Sequence, residues 1–273
     1  MPNKKIARIA ALCLALTLFQ PFPVFAANEK YNVTCKSVIF SDSTKVKRLY
    51  GKRVHDRVLP ASTTKVMTAL IVLERLKLDQ YVTVSGRATH ADPTKLYFKP
   101  GEQYKVRDLL YAILIKSAND ASIVLAEAVA GSESEFVTMM NARAKKLGAK
   151  HTKFANSNGL PTKAAQYTTA YDMYLIFRKA LQNSFFSKAI KYKYKTITSK
   201  TGREIQLKTH NKILFRGWNR KIYGKTGYTR AAKACFVGTL QKGESTLIIA
   251  VFGCPNRWDD IKHVVSKYGG IPL

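Results

Sequence analysis

The chain has 273 residues, 46% of them hydrophobic, which is enough to bury one large domain or two lobes around a shared cleft and far too much for a short binding peptide. Its 46 lysines and arginines face 17 acids, a net charge of +29 that attracts polyanions over long range. The five histidines are scattered without a His-Glu-x-x-His and the cysteines have no metal-ligand spacing, so zinc chemistry is excluded and neither metal nor cofactor is expected.

The first residues read as a secretory signal over 1–26. Lys4, Lys5 and Arg8 form a basic start, an apolar run covers 9–19, and Val24-Phe25-Ala26 offers a small-residue cleavage site. The alternative is a retained anchor, but the run is shorter than the roughly 20 residues that span a bilayer. The expected product is therefore exported, periplasmic or wall-associated and soluble once the signal is gone, with residues 27–273 forming one domain. For such a chain the natural polyanions are wall polymers, anionic glycolipids and phospholipid head groups. No nucleic-acid partner is expected, since zinc-finger and single-strand-binding signatures are missing.

Alternating residues at 31–40 and 47–54 predict strands joined by a turn at 41–45. A helix is predicted after Pro60, where Val66, Met67, Leu70, Ile71, Leu73 and Leu76 recur so densely that most of its surface should be buried. Further helices are expected at 106–115, 120–130, 133–147 and 169–181, with turns at Gly131, Gly148 and Asn158-Gly159. Strands return at 192–198, 203–208, 222–225, 234–240 and 246–252, and a last helix begins near Trp258. Strands at both ends of a helical middle predict an α+β fold: an antiparallel sheet assembled from distant segments, flanked by helices and carrying a helical lobe. Behind the signal stand Cys35, Cys235 and Cys254. Cys235 lies in an apolar strand and reads as a buried thiol, which leaves a Cys35 to Cys254 bridge as an open pairing.

Three short motifs fall along these elements in a fixed order: Ser62-Thr63-Thr64-Lys65, Ser117-Ala118-Asn119 and Lys225-Thr226-Gly227. The first is the only Ser-x-x-Lys in the chain and the second the only Ser-x-Asn. A serine hydroxyl needs a base to take its proton as it attacks. Three residues on, along one helix face, the amine of Lys65 can be that base, and burial beside the charge of Lys225 would depress its pKa. The helix start supplies positive potential and the N–H of Ser62 for an oxyanion, with the N–H of Tyr228 as second donor. Ser117 can relay a proton and Asn119 can hold a peptide carbonyl. Lys225 and Thr226 suit a free carboxylate, while Gly227 would let a substrate backbone approach. A second Lys-Thr-Gly at 200–202 sits between two polar strands, where it reads as an exposed hairpin turn.

The three motifs in this order resemble those of the low-molecular-weight penicillin-binding proteins, the D-alanyl-D-alanine carboxypeptidase family. The resemblance extends to Pro60-Ala61, Asp120-Ala121, Met140-Asn141, Leu147-Gly148, Asn158-Gly159-Leu160, Thr168-Thr169-Ala170-Tyr171-Asp172-Met173 and Gly224 through Thr229, over about residues 31–260. It implies a β-lactamase/DD-peptidase-like fold, an acyl-serine mechanism, peptidoglycan stem peptides as substrates and β-lactams as covalent inhibitors. It also implies Arg257 as a helper in binding the substrate carboxylate. Ala118 and the stretch 231–234 lack glycines common in that family. Many members continue into a β-rich second domain and an amphipathic anchor, for which a chain ending at Leu273 leaves no room, as in smaller members that act as D,D-endopeptidases.

Two further readings compete with a carboxypeptidase. A class A β-lactamase shares the motifs but needs a glutamate-activated water, and none of Glu127, Glu133, Glu135, Asp172 and Glu204 has the Glu-x-x-x-Asn spacing. Slow release from β-lactams is expected instead. A catalytically silent basic wall-binding protein would bind polyanions in a salt-dependent way without acylation.

Overall fold

The computed structural model describes residues 31–273; the predicted signal lies outside the described residues. Chain order is β1 (Ser37–Asp42), β2 (Lys47–Lys52), a 3-10 turn (Ala61–Thr64), α1 (Lys65–Arg75), β3 (Tyr81–Thr83), α2 (Gly86–Thr89), β4 (Gln103–Lys105) and α3 (Val106–Tyr111). A π-helical turn (Ala112–Lys116), α4 (Asn119–Ala130), α5 (Glu133–Lys146), α6 (Ala170–Leu181) and α7 (Ser184–Ala189) follow. The chain then forms β5 (Tyr194–Thr198), β6 (Glu204–Lys208), a 3-10 turn (Lys212–Phe215), β7 (Tyr223–Thr229), β8 (Lys233–Lys242), β9 (Ser245–Cys254) and α8 (Arg257–Gly269). No helix among the described residues is long and apolar enough to cross a membrane.

The main sheet has the order β2-β1-β9-β8-β7, with antiparallel neighbours throughout. Its central strands are apolar on both faces because both faces are covered. Along β9, Leu247, Ile249 and Val251 join Val38 and Phe40 of β1 under Ile261, Val264 and Val265 of α8. Their alternates Ile248, Ala250 and Phe252 join Ile39 in the larger core beneath the helical lobe. At the heart of that lobe, every residue of α1 from Lys65 to Val72 is buried, as the density of its apolar positions predicts.

The chemistry of the segments explains where the structure departs from the predicted elements. The first strand starts at Ser37 rather than at 31, because the N–H groups of Thr34 and Cys35 go to the Asp260 carboxylate at 2.9 and 3.0 Å instead of to a ladder. Cys35 is bonded to Cys254, and Cys235 is free and buried. The helix predicted at 106–115 leaves α geometry at Tyr111 and widens into the π turn, ending on Ser117 with φ +64°. Strands β5 and β6 pair only with each other, outside the main sheet. They bury Ile197 and Leu207 toward the helical lobe while Tyr194, Thr196, Gln206 and Lys208 face outward. The small β3–β4 ladder is not apparent in the sequence, its strands being three residues each.

Candidate active site

Ser62 sits in the 3-10 turn just ahead of α1, where the Thr63 N–H and hydroxyl both donate to the Pro60 carbonyl, at 3.2 and 2.7 Å. Two glycines let this turn lie so close to its neighbours. A Cβ on Gly159 (φ +83°) would stand 1.9 Å from the Ala61 carbonyl oxygen, and one on Gly227 would stand 3.1 Å from the Ser62 nitrogen. The space a side chain on Gly227 would need is thus taken by the Ser62 turn, while Gly227 itself lines the cleft.

Lys65 Nζ donates to Ser62 Oγ at 3.1 Å, to Asn119 Oδ1 at 2.7 Å and to the Asn158 carbonyl at 2.8 Å. These three contacts fix the position of the amine. Burial and the nearby Lys225 charge hold its pKa well below the ordinary lysine range, with Asp120 pulling the other way. Asn119 donates in turn to the Asp92 carbonyl at 2.9 Å. Its amide is therefore occupied in placing Lys65, with one N–H left for a ligand.

Opposite, Lys225 of β7 is buried and donates to Ser117 Oγ at 2.9 Å and to the Thr226 carbonyl at 2.8 Å. Burial, reinforced by the Arg257 charge, lowers its pKa to about 7. Ser117 therefore contacts Lys225, and the left-handed backbone at this position aims its hydroxyl there. Arg257, at the start of α8, donates to the carbonyls of Gly227 at 3.2 Å and Cys235 at 2.7 Å, while its Nε is buried without a partner. Burial lowers its pKa to about 10, leaving it cationic at neutral pH. The other Lys-Thr-Gly, at 200–202, is the exposed turn between β5 and β6 that its context predicts.

Ser62, Ser117, Thr226, Gly227, Tyr228 and Arg257 line one cleft of ≈ 320 Å³ together with Thr94 and His210. His210 is a cleft residue that sequence reasoning missed: a lone histidine two residues past β6 carries no spacing signal. Loss of hydration in the cleft and the charges of Lys225, Lys116 and Lys65 lower its pKa to about 4, so it is neutral at pH 7. The Asn158 carbonyl was equally hidden, since a backbone acceptor leaves no mark in residue type. None of the five acids weighed as a water activator lines this cleft. Glu133 instead accepts from Ser157 and Arg87, Glu127 from Ser85, and Asp172 from His151 and Thr152.

A serine beside a buried lysine at the head of a core helix, walled by the edge strand of a sheet with helices on both faces, defines the β-lactamase/DD-peptidase fold. The comparisons agree: the sequence model for D-alanyl-D-alanine carboxypeptidases matches residues 24–256. D-alanyl-D-alanine carboxypeptidase DacF of Bacillus subtilis is 36% identical over 233 residues, covering 80% of this chain and 57% of that protein. DacC of Escherichia coli is 34% identical over 260 residues, covering 90% of this chain and 63% of that protein. The crystal structure of a D-alanyl-D-alanine carboxypeptidase from Mycobacterium tuberculosis superposes with TM-score 0.81 at 32% identity, covering 88% of this chain and 92% of that one. A mutant of the DD-transpeptidase of Streptomyces K15 gives 0.80 at 27%, covering 89% and 100%. This chain belongs to the D-alanyl-D-alanine carboxypeptidase family, and it spans 57% and 63% of the lengths of the two curated relatives named.

Proposed function

We propose that this chain is an exported serine D,D-peptidase that removes the terminal D-alanine from peptidoglycan stem peptides through an acyl-serine intermediate, and that penicillin acylates the same serine. The observation that carries this reading is the buried Lys65 amine, depressed in pKa and 3.1 Å from Ser62 Oγ. Ser62 attacks the carbonyl of the penultimate residue while its proton passes to Lys65. The N–H groups of Ser62 and Tyr228 receive the oxyanion. The C–N bond then breaks, and the departing amine takes a proton by way of Ser117. Water hydrolyses the ester and restores the serine. Lys225, Thr226 and Arg257 hold the terminal carboxylate, and the net charge of +29 supports attraction to anionic wall polymers or membrane surfaces.

None of the five candidate acids lines the cleft, which supports slow deacylation and so favours a penicillin-binding enzyme over a β-lactamase. The test is a time course of intact mass with benzylpenicillin beside Ser62→Ala, followed by product analysis on D-Ala-D-Ala peptides. The expected result is a persistent single adduct on the native chain, none on the variant, and released D-alanine. Disappearance of penicillin without an adduct would assign a β-lactamase instead. Intact penicillin with no adduct would leave only the silent wall-binding protein.

A further inference from the structure

The hairpin of β5 and β6 turns one face to the helical lobe and leaves the other exposed. At its base, where Tyr194 lies opposite Lys208 in the register, the exposed rings of Tyr194 and Phe215 meet edge to face with their centres 5.8 Å apart. Two lysines converge on them. Lys193 Nζ lies 5.7 Å and Lys208 Nζ 5.6 Å from the centre of the Phe215 ring, and Lys208 Nζ lies 5.8 Å from that of Tyr194. Neither amine enters an ion pair among the described residues. Glu204, the acid of the hairpin, stands at the other end of β6 opposite Thr198. Lys195, on the same strand as Tyr194, interacts with the Asp108 carboxylate of α3 and stands outside the pair.

Two like charges at one ring repel each other, and no acid of the hairpin offsets them. Both amines lie within 5.7 Å of one point, so they are at most twice that far apart, a span that neighbouring phosphates of one polymer chain bridge. The rings also hold the long lysine side chains in place, which reduces the freedom lost when an anion binds. The same rings decide what kind of polyanion fits. An ammonium beside each ring bars both from a lipid interior, because the charge would have to follow. For the same reason neither ring offers the bare face on which a nucleic-acid base stacks. Lysine meets phosphate as a point charge, without the planar fork that arginine brings to one fixed carboxylate, and this suits a flexible repeating chain. We propose that Lys193 and Lys208, held by Phe215 and Tyr194, form a docking site for a hydrated phosphodiester polymer of polyol or sugar units. None of these four residues lines the catalytic cleft, so the inference stands apart from the peptidase reading.

Binding of a fluorescent poly(glycerol phosphate) of about ten repeats, followed by anisotropy in about 0.1 M salt, tests it. The native chain should bind, and Lys193→Gln/Lys208→Gln should bind at least about tenfold more weakly. Phe215→Ser keeps both charges but frees their side chains, and should lose about threefold. Lys145→Gln/Lys146→Gln removes the same charge from the end of α5 and should stay within about twofold of the native chain. All five side chains are exposed, so thermal midpoints of the variants should match the native one. Equal losses in the two double variants would assign the binding to diffuse charge and overturn the inference. So would full binding by Phe215→Ser. A native chain that leaves the polymer free, whether or not it takes up phosphatidylglycerol vesicles or single-stranded DNA, would overturn it as well.

Discussion

In the proposed mechanism the chemistry turns on two lysines that the fold keeps out of water. A neighbouring cation destabilises protonated lysine, so part of the depression of Lys65 comes from Lys225. Removing that charge raises the Lys65 pKa. In Lys225→Gln the acid limb of the pH profile for acylation by benzylpenicillin should therefore move to higher pH, and an unmoved limb would show that Lys225 does not tune the base. Lys225 also carries a stability signature. Its folded pKa of about 7 lies below its ordinary 10.5, so between those values the unfolded chain binds more protons and stability rises with pH. The cost is fully present below pH 7, on the order of 5 kcal/mol, and is gone above 10.5. Thermal midpoints of the native chain and Lys225→Met should accordingly diverge as pH falls from 10 to 7, with the native chain losing more. His210, already neutral at pH 7, should titrate near pH 4 by NMR. Replacing it with glutamine should leave the acylation profile above pH 6 unchanged in shape. At this scale the sequence was most legible where chemistry resides in side-chain type: Ser62, Lys65, Ser117, Asn119 and Lys225 are all brought together. It was silent on the Asn158 and Asp92 carbonyls, because any residue could supply them.

Elements place those residues, and one loop does so without touching the cleft. The segment presenting the Asn158 carbonyl to Lys65 is tied down by Ser157, whose N–H and hydroxyl both donate to Glu133 at 3.0 and 2.6 Å and whose carbonyl accepts from Thr68 at 2.5 Å. Glu133→Ala leaves the Ser157 donors without their carboxylate and loosens that carbonyl's aim. Acylation should slow by roughly tenfold to a hundredfold, the effect of losing one charged hydrogen bond, with little change in peptide KM; an unchanged rate would free the loop from this role. Gly159→Ala is harsher. Its Cβ meets backbone at 1.9 Å in a left-handed conformation, so the Ser62 turn must shift, and both acylation and several kcal/mol, about 3 or more, should be lost. The π turn after α3 shows the limit of periodicity, because an apolar run of residues 112–115 looks the same wound as α or π. Only the left-handed Ser117 that follows records the difference. Likewise, 31–36 alternates well enough for a strand, and what withdraws those residues from the sheet is Asp260, more than 220 positions away.

For the whole molecule, the bond between Cys35 and Cys254 joins points 219 residues apart. Closing so long a loop restricts the unfolded chain by about 5 kcal/mol on an entropic account. Reduction should therefore lower the thermal midpoint, while acylation at 25 °C persists because no catalytic contact passes through the bridge. A reduced protein of unchanged midpoint would refute this. The sheet was legible as a set of strands but not as a topology, since alternation tells which residues face a core and not which strand lies beside which. Nothing in 192–208 announces that this hairpin settles on the helical lobe while 37–42 crosses the molecule to β9.

That crossing also sets an order on the steps of folding. Ser62 and Lys65 are close in sequence, yet β1 must wait for β9, more than 200 positions on, and the Ser62 turn must wait for Gly227 to back it. Contacts this distant in sequence form late. A folding chain thus holds Ser62 and Lys65 without a formed cleft until β7, β8 and β9 have joined the sheet.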